Sequence, residues 1–182
     1  MKVDAAGWVS GVQRIASPNH DRRPPGSAIE LLVIHNISLP PDQFGGPAIV
    51  QFFTNRLDSN EHPYFAQLHG VTVSAHFLVR RDGRIIQFVP CGRRAWHAGV
   101  SSWQGRSRCN DFSIGIELEG SDHVPFSDPQ YVSLVRLTRR LLRAYPIRHI
   151  AGHSDIAPER KTDPGTFFEW SRYREALQRS NK

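Results

Sequence analysis

The sequence predicts an α/β domain in which a mixed β-sheet is covered by helices. Three observations lead there. Short apolar runs of strand length alternate with longer stretches of helical periodicity, two of the runs are joined by a tight turn at Arg81-Asp82-Gly83, and no Gly/Ser linker or internal repeat divides the 182 residues. Alternating strands and helices imply parallel pairing with crossovers, and the tight turn adds one antiparallel pair. A chain of this length builds one ordinary core, so residues 1–182 are read as a single domain.

The elements follow in order. Residues 17–29, SPNHDRRPPGSAI, read as a polar loop, and ELLVIHN (30–36) as a buried strand that ends in a histidine. PAIVQFFTNRL (47–57) reads as a helix with Pro in its first turn. NEHPYFAQLHGVT (60–72) has the composition of a long irregular loop, and SAHFLVR and RIIQFVP are two strands around the tight turn. An Arg- and Trp-rich loop, CGRRAWHAGVSSWQGRSRCND (91–111), leads into the strand FSIGIELEG (112–120). Ser127 and Gln130 have capping-box spacing at the start of a long helix. Leu134, Leu137, Leu141 and Ala144 form its apolar stripe, with Arg136, Arg139, Arg140 and Arg143 mainly opposite, as in a helix laid on a sheet. IRHIAGH (147–153) reads as a last short strand and FFEWSRYREALQ (167–178) as a C-terminal helix.

Composition narrows the function classes. Hydrophobic residues at 39% and charged residues at 22%, with four Trp and ten Phe, lie far from disorder. The N-terminus has no apolar segment behind its Lys and no window approaches a membrane span, so the expectation is a cytoplasmic protein without a membrane partner. Cys91 and Cys109 are expected as two reduced thiols rather than a pair. A net charge of +6 invites nucleic acid, but the basic residues are scattered, and an anionic small substrate suits the same surplus. Lys2, Lys161 and Lys182 are the only lysines among 23 basic residues, so the single internal Lys marks a position suited to a compact ammonium.

Three residues with ligand chemistry sit where strands end: His35, His153 and Asp163. Catalytic zinc takes three ligands from His and carboxylate and keeps one position open. Spacing alone does not single these out among nine His, and strand-end histidines are often structural. His149 and His153 have the spacing of a helical metal pair, although Gly152 argues against a helix there. On FSIGIELEG, alternation puts Ile114, Ile116 and Leu118 on one face and Ser113, Gly115, Glu117 and Glu119 on the other. A carboxylate in a mostly apolar strand is costly unless a polar site receives it. Glu117 is therefore a candidate general base; Glu119 shares its face, and an exposed sheet face is the alternative.

The stretches LLVIHN, SAHFLVRRDGRIIQFVP, RRAWHAGVSSWQGRSRCNDFSIGIELEG and GHSDIAPERKTDPG strongly resemble the zinc-dependent N-acetylmuramoyl-L-alanine amidases, and within them the cytoplasmic branch acting on 1,6-anhydromuropeptides. The resemblance runs over about residues 7–177. It implies the mixed-sheet fold shared with peptidoglycan-recognition proteins and phage-lysozyme amidases. It also implies one Zn²⁺ on His35, His153 and Asp163, with Glu117 and Lys161 as catalytic residues. Amide hydrolysis would release the L-Ala-initiated stem peptide from an anhydromuropeptide. Arg93, Arg94, Arg106 and Arg108 crowd the loop before the Glu117 strand, and Arg108, nearest that strand, is the expected carboxylate contact. Trp96 is expected against a sugar face, with Trp103 the other option, and Asn36 is expected to orient substrate. His76 and His97 are expected beside the ligands rather than among them, Asp155 in loop structure, and the protein as a monomer. The rival activities are an amidase acting on intact murein and a non-catalytic muropeptide sensor.

Overall fold

The computed structural model describes residues 1–179. Its elements, in chain order, are β1 (Gln13–Arg14), β2 (His20–Arg22), β3 (Leu31–Ile37), α1 (Ala48–Phe53), α2 (Pro63–Ala66), β4 (Phe77–Val79), β5 (Ile85–Gln87), β6 (Arg93–Ala95), β7 (Ser102–Trp103), β8 (Arg106–Ser107), β9 (Ser113–Glu119), α3 (Asp128–Ala144), β10 (His149–Gly152), α4 (His153–Ile156) and α5 (Trp170–Gln178). The main sheet has the order β1-β5-β4-β9-β3-β10. Only β4 and β5 pair antiparallel, across the Arg81-Asp82-Gly83 turn; every other neighbour is parallel. The expected mixed α/β fold is thus borne out.

Both faces of the sheet are covered. Leu32, Ile34, Ile114, Ile116 and Leu118 pack with Leu134, Leu137 and Leu141 of α3 and Tyr173 of α5. The opposite face carries Leu31, Val33 and Ala151 over the 98–112 loop, and Leu78 and Ile86 under α1. All seven residues of β9 are buried, so its polar side chains do not form an exposed sheet face. Glu119, held open above as a possible base, is committed elsewhere. It accepts from Arg80 Nη1 at 2.8 Å, from the Gly45 N–H at 2.7 Å and from the Arg81 N–H at 3.1 Å.

Several boundaries differ from the sequence reading for local reasons. The first helix ends at Phe53, not Leu57, and Pro47 is its N-cap rather than part of its first turn. Asn55 turns left-handed at φ 57°, a conformation Asn tolerates, and the Arg56 N–H closes the end on Gln51 O at 2.7 Å. The capping box of Ser127 and Gln130 forms as expected. At its other end α3 stops before Pro146, which biases Tyr145 to extended backbone, and Ala144 is exposed, so the apolar stripe closes at Leu141. The 60–72 loop contains the single turn α2.

The 91–111 loop holds β6, which pairs with β2, and the small ribbon of β7 and β8. Periodicity does not reveal strands this short. The polar 17–29 segment is anchored by Arg23, whose guanidinium donates to the carbonyls of Cys91, Asn110, Asp111 and Ser113 at 2.7–3.2 Å. Burial pulls its pKa down to about 10. Cys91 and Cys109 are buried free thiols, as expected. No helix among the described residues is long and apolar enough to cross a membrane.

Candidate metal centre and active site

The candidate residues meet because of strand register. In the parallel pairing of β3 with β9, His35 lies opposite Glu117. On the other side Gly152 of β10 lies opposite Ile34, so His153, the next residue, stands level with His35. Three adjacent parallel strands therefore deliver two imidazoles and a carboxylate to one level at their carboxyl ends, the usual place for a ligand site on such sheets. At Gly152 the chain turns from strand to helix, and Asp155 Oδ2 accepts the Gly152 N–H at 2.7 Å. The loop role expected for Asp155 is this turn. His149 stays on its strand and takes no part, so the helical His pair does not form.

Asp163 arrives on the loop after α4. Its carbonyl accepts the Ser154 N–H at 2.9 Å. A clamp centred on Asp122 holds the same loop: Oδ1 accepts from Asn36 Nδ2 at 2.7 Å and Oδ2 from Thr162 Oγ1 at 2.5 Å. Asn36 also donates to the Pro164 carbonyl at 3.1 Å. Its amide thus ties strand β3 to the loop carrying Lys161 and Asp163. Asp122 was not singled out in the sequence; it bears no motif, and its role exists only through the folded loop.

His35, His153 and Asp163 form a cluster able to hold a metal ion. The spacings are His35 Nδ1 to His153 Nδ1 3.0 Å, His35 Nδ1 to Asp163 Oδ2 3.1 Å, and His153 Nδ1 to Asp163 Oδ2 3.1 Å. Partners behind the rings assign their protons. His153 Nε2 faces the Ala98 carbonyl at 3.1 Å, which only accepts, so its proton sits on Nε2 and Nδ1 offers a lone pair. His35 Nε2 faces His97 Nδ1 at 2.9 Å; with the His35 proton there, all three facing atoms are acceptors. Three lone pairs converging in a buried site repel one another unless a cation lies among them, and in this respect the donor set fits a metal.

The carboxylates beside this cluster are driven apart. Burial first, then the Asp163 charge, pushes Glu117 well above its ordinary pKa, and Lys161 offsets part of this. Burial also acts to raise Asp163, but when a proton rather than a cation occupies the cluster, hydrogen bonds from His153 and His35 Nδ1 outweigh it and hold Asp163 below its usual range. Burial keeps His35 low as well. Two acids with opposite shifts in one cleft are suited to different roles, one as proton carrier and one as fixed anion. Glu117 is 8% exposed, and its buried Oε2 has no hydrogen-bond partner among the described residues.

These groups open into a pocket of about 420 Å³. Its polar end presents His35, Asn36, Glu117, His153, Lys161 and Asp163, and its wall includes Leu39, Phe52, Tyr64, Leu68 and Trp96. The apolar wall comes largely from the 38–71 region, which the sequence reading took only as helix and loop. Trp96 and Asn36 both line this pocket. Arg108 does not line this pocket: its side chain is 69% exposed and pairs with Asp111 at 3.2 Å. Its neighbours are likewise engaged, Arg94 with Asp21 and Asp111 and Arg106 with Glu30. Asp111 supplies the local partner that a count of arginines overlooks. Trp103 sits away from the pocket, beside His149, with ring centroids 5.8 Å apart.

A family model described as N-acetylmuramoyl-L-alanine amidase matches residues 25–166. The chain is 55% identical over 170 residues to the 1,6-anhydro-N-acetylmuramyl-L-alanine amidase AmpD of Escherichia coli (strain K12), covering 92% of this chain and 93% of that protein. A crystal structure of a selenomethionine AmpD derivative matches with a TM-score of 0.94 at 55% identity, over 97% of this chain and 99% of the other. The amidase AmiD from E. coli, in complex with the substrate anhydro-N-acetylmuramic acid-L-Ala-D-γ-Glu-L-Lys, matches with a TM-score of 0.60 at 33% identity, over 85% of this chain and 60% of that one.

Proposed function

The chain belongs to the N-acetylmuramoyl-L-alanine amidase family, and we propose that it hydrolyses the amide between the lactyl group of 1,6-anhydro-N-acetylmuramic acid and the L-Ala of a stem peptide, as a cytoplasmic step of peptidoglycan recycling. The protein is an amidase acting on a soluble anhydromuropeptide, as a single-domain monomer with one Zn²⁺ on His35, His153 and Asp163. The observation that carries this reading is the convergence of those three ligand atoms at 3.0–3.1 Å beside a buried carboxyl with a raised pKa. Zinc bonds of 2.0–2.1 Å at tetrahedral angles imply ligand separations of roughly 3.3 Å, close to these. The names of the relatives support the substrate class.

When bound, zinc supplies a water of pKa near 7 and polarises a carbonyl. Glu117 takes the proton of the attacking water and returns it to the departing amine, a role that a carboxyl with a pKa raised by burial suits. Lys161, on the same pocket wall, places its ammonium by the carbonyl oxygen as negative charge develops there. Loss of one such donor costs about 3 kcal/mol, roughly a hundredfold. Asp163 remains a carboxylate throughout, and desolvation lowers the pKa of His97 and His35 and keeps both neutral. Trp96 offers a flat face for the sugar, while Phe52 and Tyr64 limit water around the reacting bond. Asn36 acts through the loop it holds.

The test is metal analysis together with turnover. Purified protein should contain about one zinc per chain and release L-Ala-initiated peptide from anhydromuropeptide. His153→Ala and Asp163→Ala should lose the metal; Glu117→Ala should keep it and lose turnover. Faster hydrolysis of intact sacculi than of soluble anhydromuropeptide would favour a lytic amidase, and binding without product a sensor.

A further inference from the structure

A ligating His35 must present Nδ1 to the cluster, and we propose that His97 and Ser113 form a relay that sets this orientation, with Gly115 supplying the space for it. The inference rests on the reading of His35 as a metal ligand. His35 Nε2 lies 2.9 Å from His97 Nδ1, and His97 Nε2 lies 3.2 Å from Ser113 Oγ. The two rings meet edge to face, with centroids 5.0 Å apart and an interplanar angle of 84°. His35 and Ser113 are buried, and His97 is half-buried, with its other side on the pocket.

The relay is built rather than incidental. The backbone N–H groups of His97 and Ala98 both donate to Asn110 Oδ1, at 3.1 and 2.9 Å, which fixes the loop carrying the ring. The ring then lies directly on strand β9 at Gly115. A Cβ there would stand 2.5 Å from His97 Cγ and 2.6 Å from Nδ1, separations no real contact adopts. Gly115 has ordinary strand dihedrals, so its lack of a side chain serves this ring and not a turn. The same face of the strand carries Ser113 two residues before and Glu117 two after, so one strand supplies the relay's end, the space for its ring and the proposed base.

Its polarity matters. With His35 Nε2–H donating to His97 Nδ1, and His97 Nε2–H donating to Ser113 Oγ, His35 Nδ1 keeps its lone pair toward His153 and Asp163. The reverse polarity would put a proton on His35 Nδ1, inside the ligand cluster and in competition with a cation. His97 is therefore a positioning residue, and both its nitrogens are spoken for. Partners of this kind behind a ligating imidazole are worth roughly 10- to 100-fold in metal affinity.

The experiment measures Zn²⁺ affinity by chelator competition in full-length wild type, His97→Leu, His97→Gln and Ser113→Ala, with the melting temperature of each metal-free protein. Alongside it, ¹⁵N NMR of the zinc-loaded wild type reads the His97 tautomer. His97→Leu should lose roughly 10- to 100-fold in affinity. Gln, which keeps an acceptor for His35 and a donor for Ser113, should restore most of it, and Ser113→Ala should fall between. His97 should be protonated at Nε2 and bare at Nδ1. Unchanged affinity in His97→Leu, equal losses in Leu and Gln at matched melting temperatures, or a proton on His97 Nδ1 would each overturn the relay. If His97→Leu fails to fold, Ser113→Ala and the tautomer decide. A wild type that binds no zinc would instead sink the metal reading.

Discussion

Replacing Glu117 by Gln separates chemistry from folding at the candidate base. The change keeps volume and shape but removes the ability to accept and return a proton. General acid–base catalysis contributes about 10²–10⁴-fold, so kcat should fall by that factor, equivalent to roughly 3–5 kcal/mol of transition-state stabilisation. Stability should respond differently. Glu117 is buried, its Oε2 lacks a partner among the described residues, and burial together with Asp163 opposes its ionised form. Exchanging it for a neutral amide removes that conflict, so the loss of folding stability should stay below about 1 kcal/mol, a shift of roughly 2–4 °C at most in a domain of this size. The assay is chromatographic release of stem peptide from anhydromuropeptide, with zinc content and thermal unfolding on the same preparations. A variant that retains near wild-type kcat would refute the assignment of the base. One that lost activity only in proportion to zinc or to folded protein would show that Glu117 acts structurally.

Lys161→Met should lower kcat about a hundredfold with zinc content unchanged, and Lys161→Arg, which keeps the charge but replaces a compact ammonium by a planar fork, should recover only part of that loss; full activity in the Met variant would remove Lys161 from the mechanism. Arg80→Met should destabilise by about 3–5 kcal/mol, because it strands the buried Glu119 carboxylate, with backbone donors at Gly45 and Arg81 holding the value toward the lower end; a melting temperature within a degree or two of wild type would contradict this. Burial pushes the Cys91 thiol up to about 12. A pKa raised on folding stabilises fully below the unfolded value, near 8.5, and that contribution is lost as pH rises toward 12. Folded protein should therefore leave Cys91 unreactive toward a thiol reagent at pH 8, and rapid native-state labelling of Cys91 would be the contrary result.

What the sequence revealed depended on the range of the interactions involved. The long elements were legible because their cause is local: the capping box at Ser127, the leucine stripe of α3 and the alternation in β9 each lie within a few residues. Strands β2, β6, β7 and β8 were not legible, since two or three residues carry no period and their reason is a partner far along the chain, such as Arg94 reaching Asp21. At the site, residues with distinctive chemistry could be named in advance, but their meeting depends on strand register. Arg108 illustrates the limit. Its nearness to β9 in sequence says nothing about direction, and a left-handed backbone at φ 61° with an ion pair to Asp111 leaves it outside the pocket. Asp122 illustrates the reverse: no motif marks it, yet it joins two segments that carry site residues.

Glu117 and Glu119 provide a comparison internal to one strand. Both are buried and share a face, and pattern alone could not choose between them. Glu119 has a guanidinium at 2.8 Å and two backbone donors, the set of partners that a structural carboxylate needs. Glu117 has a buried oxygen with none among the described residues, and a second carboxylate, Asp163, that opposes its charge. A role confined to stability accounts for Glu119 and fails for Glu117, because an apolar residue of similar size at 117 would fold at least as well. Buried polar groups left unsatisfied in this way concentrate where chemistry uses them. The same contrast predicts opposite responses to the same change: Glu119→Gln should strand Arg80 and cost stability, whereas Glu117→Gln should leave stability nearly intact and remove turnover.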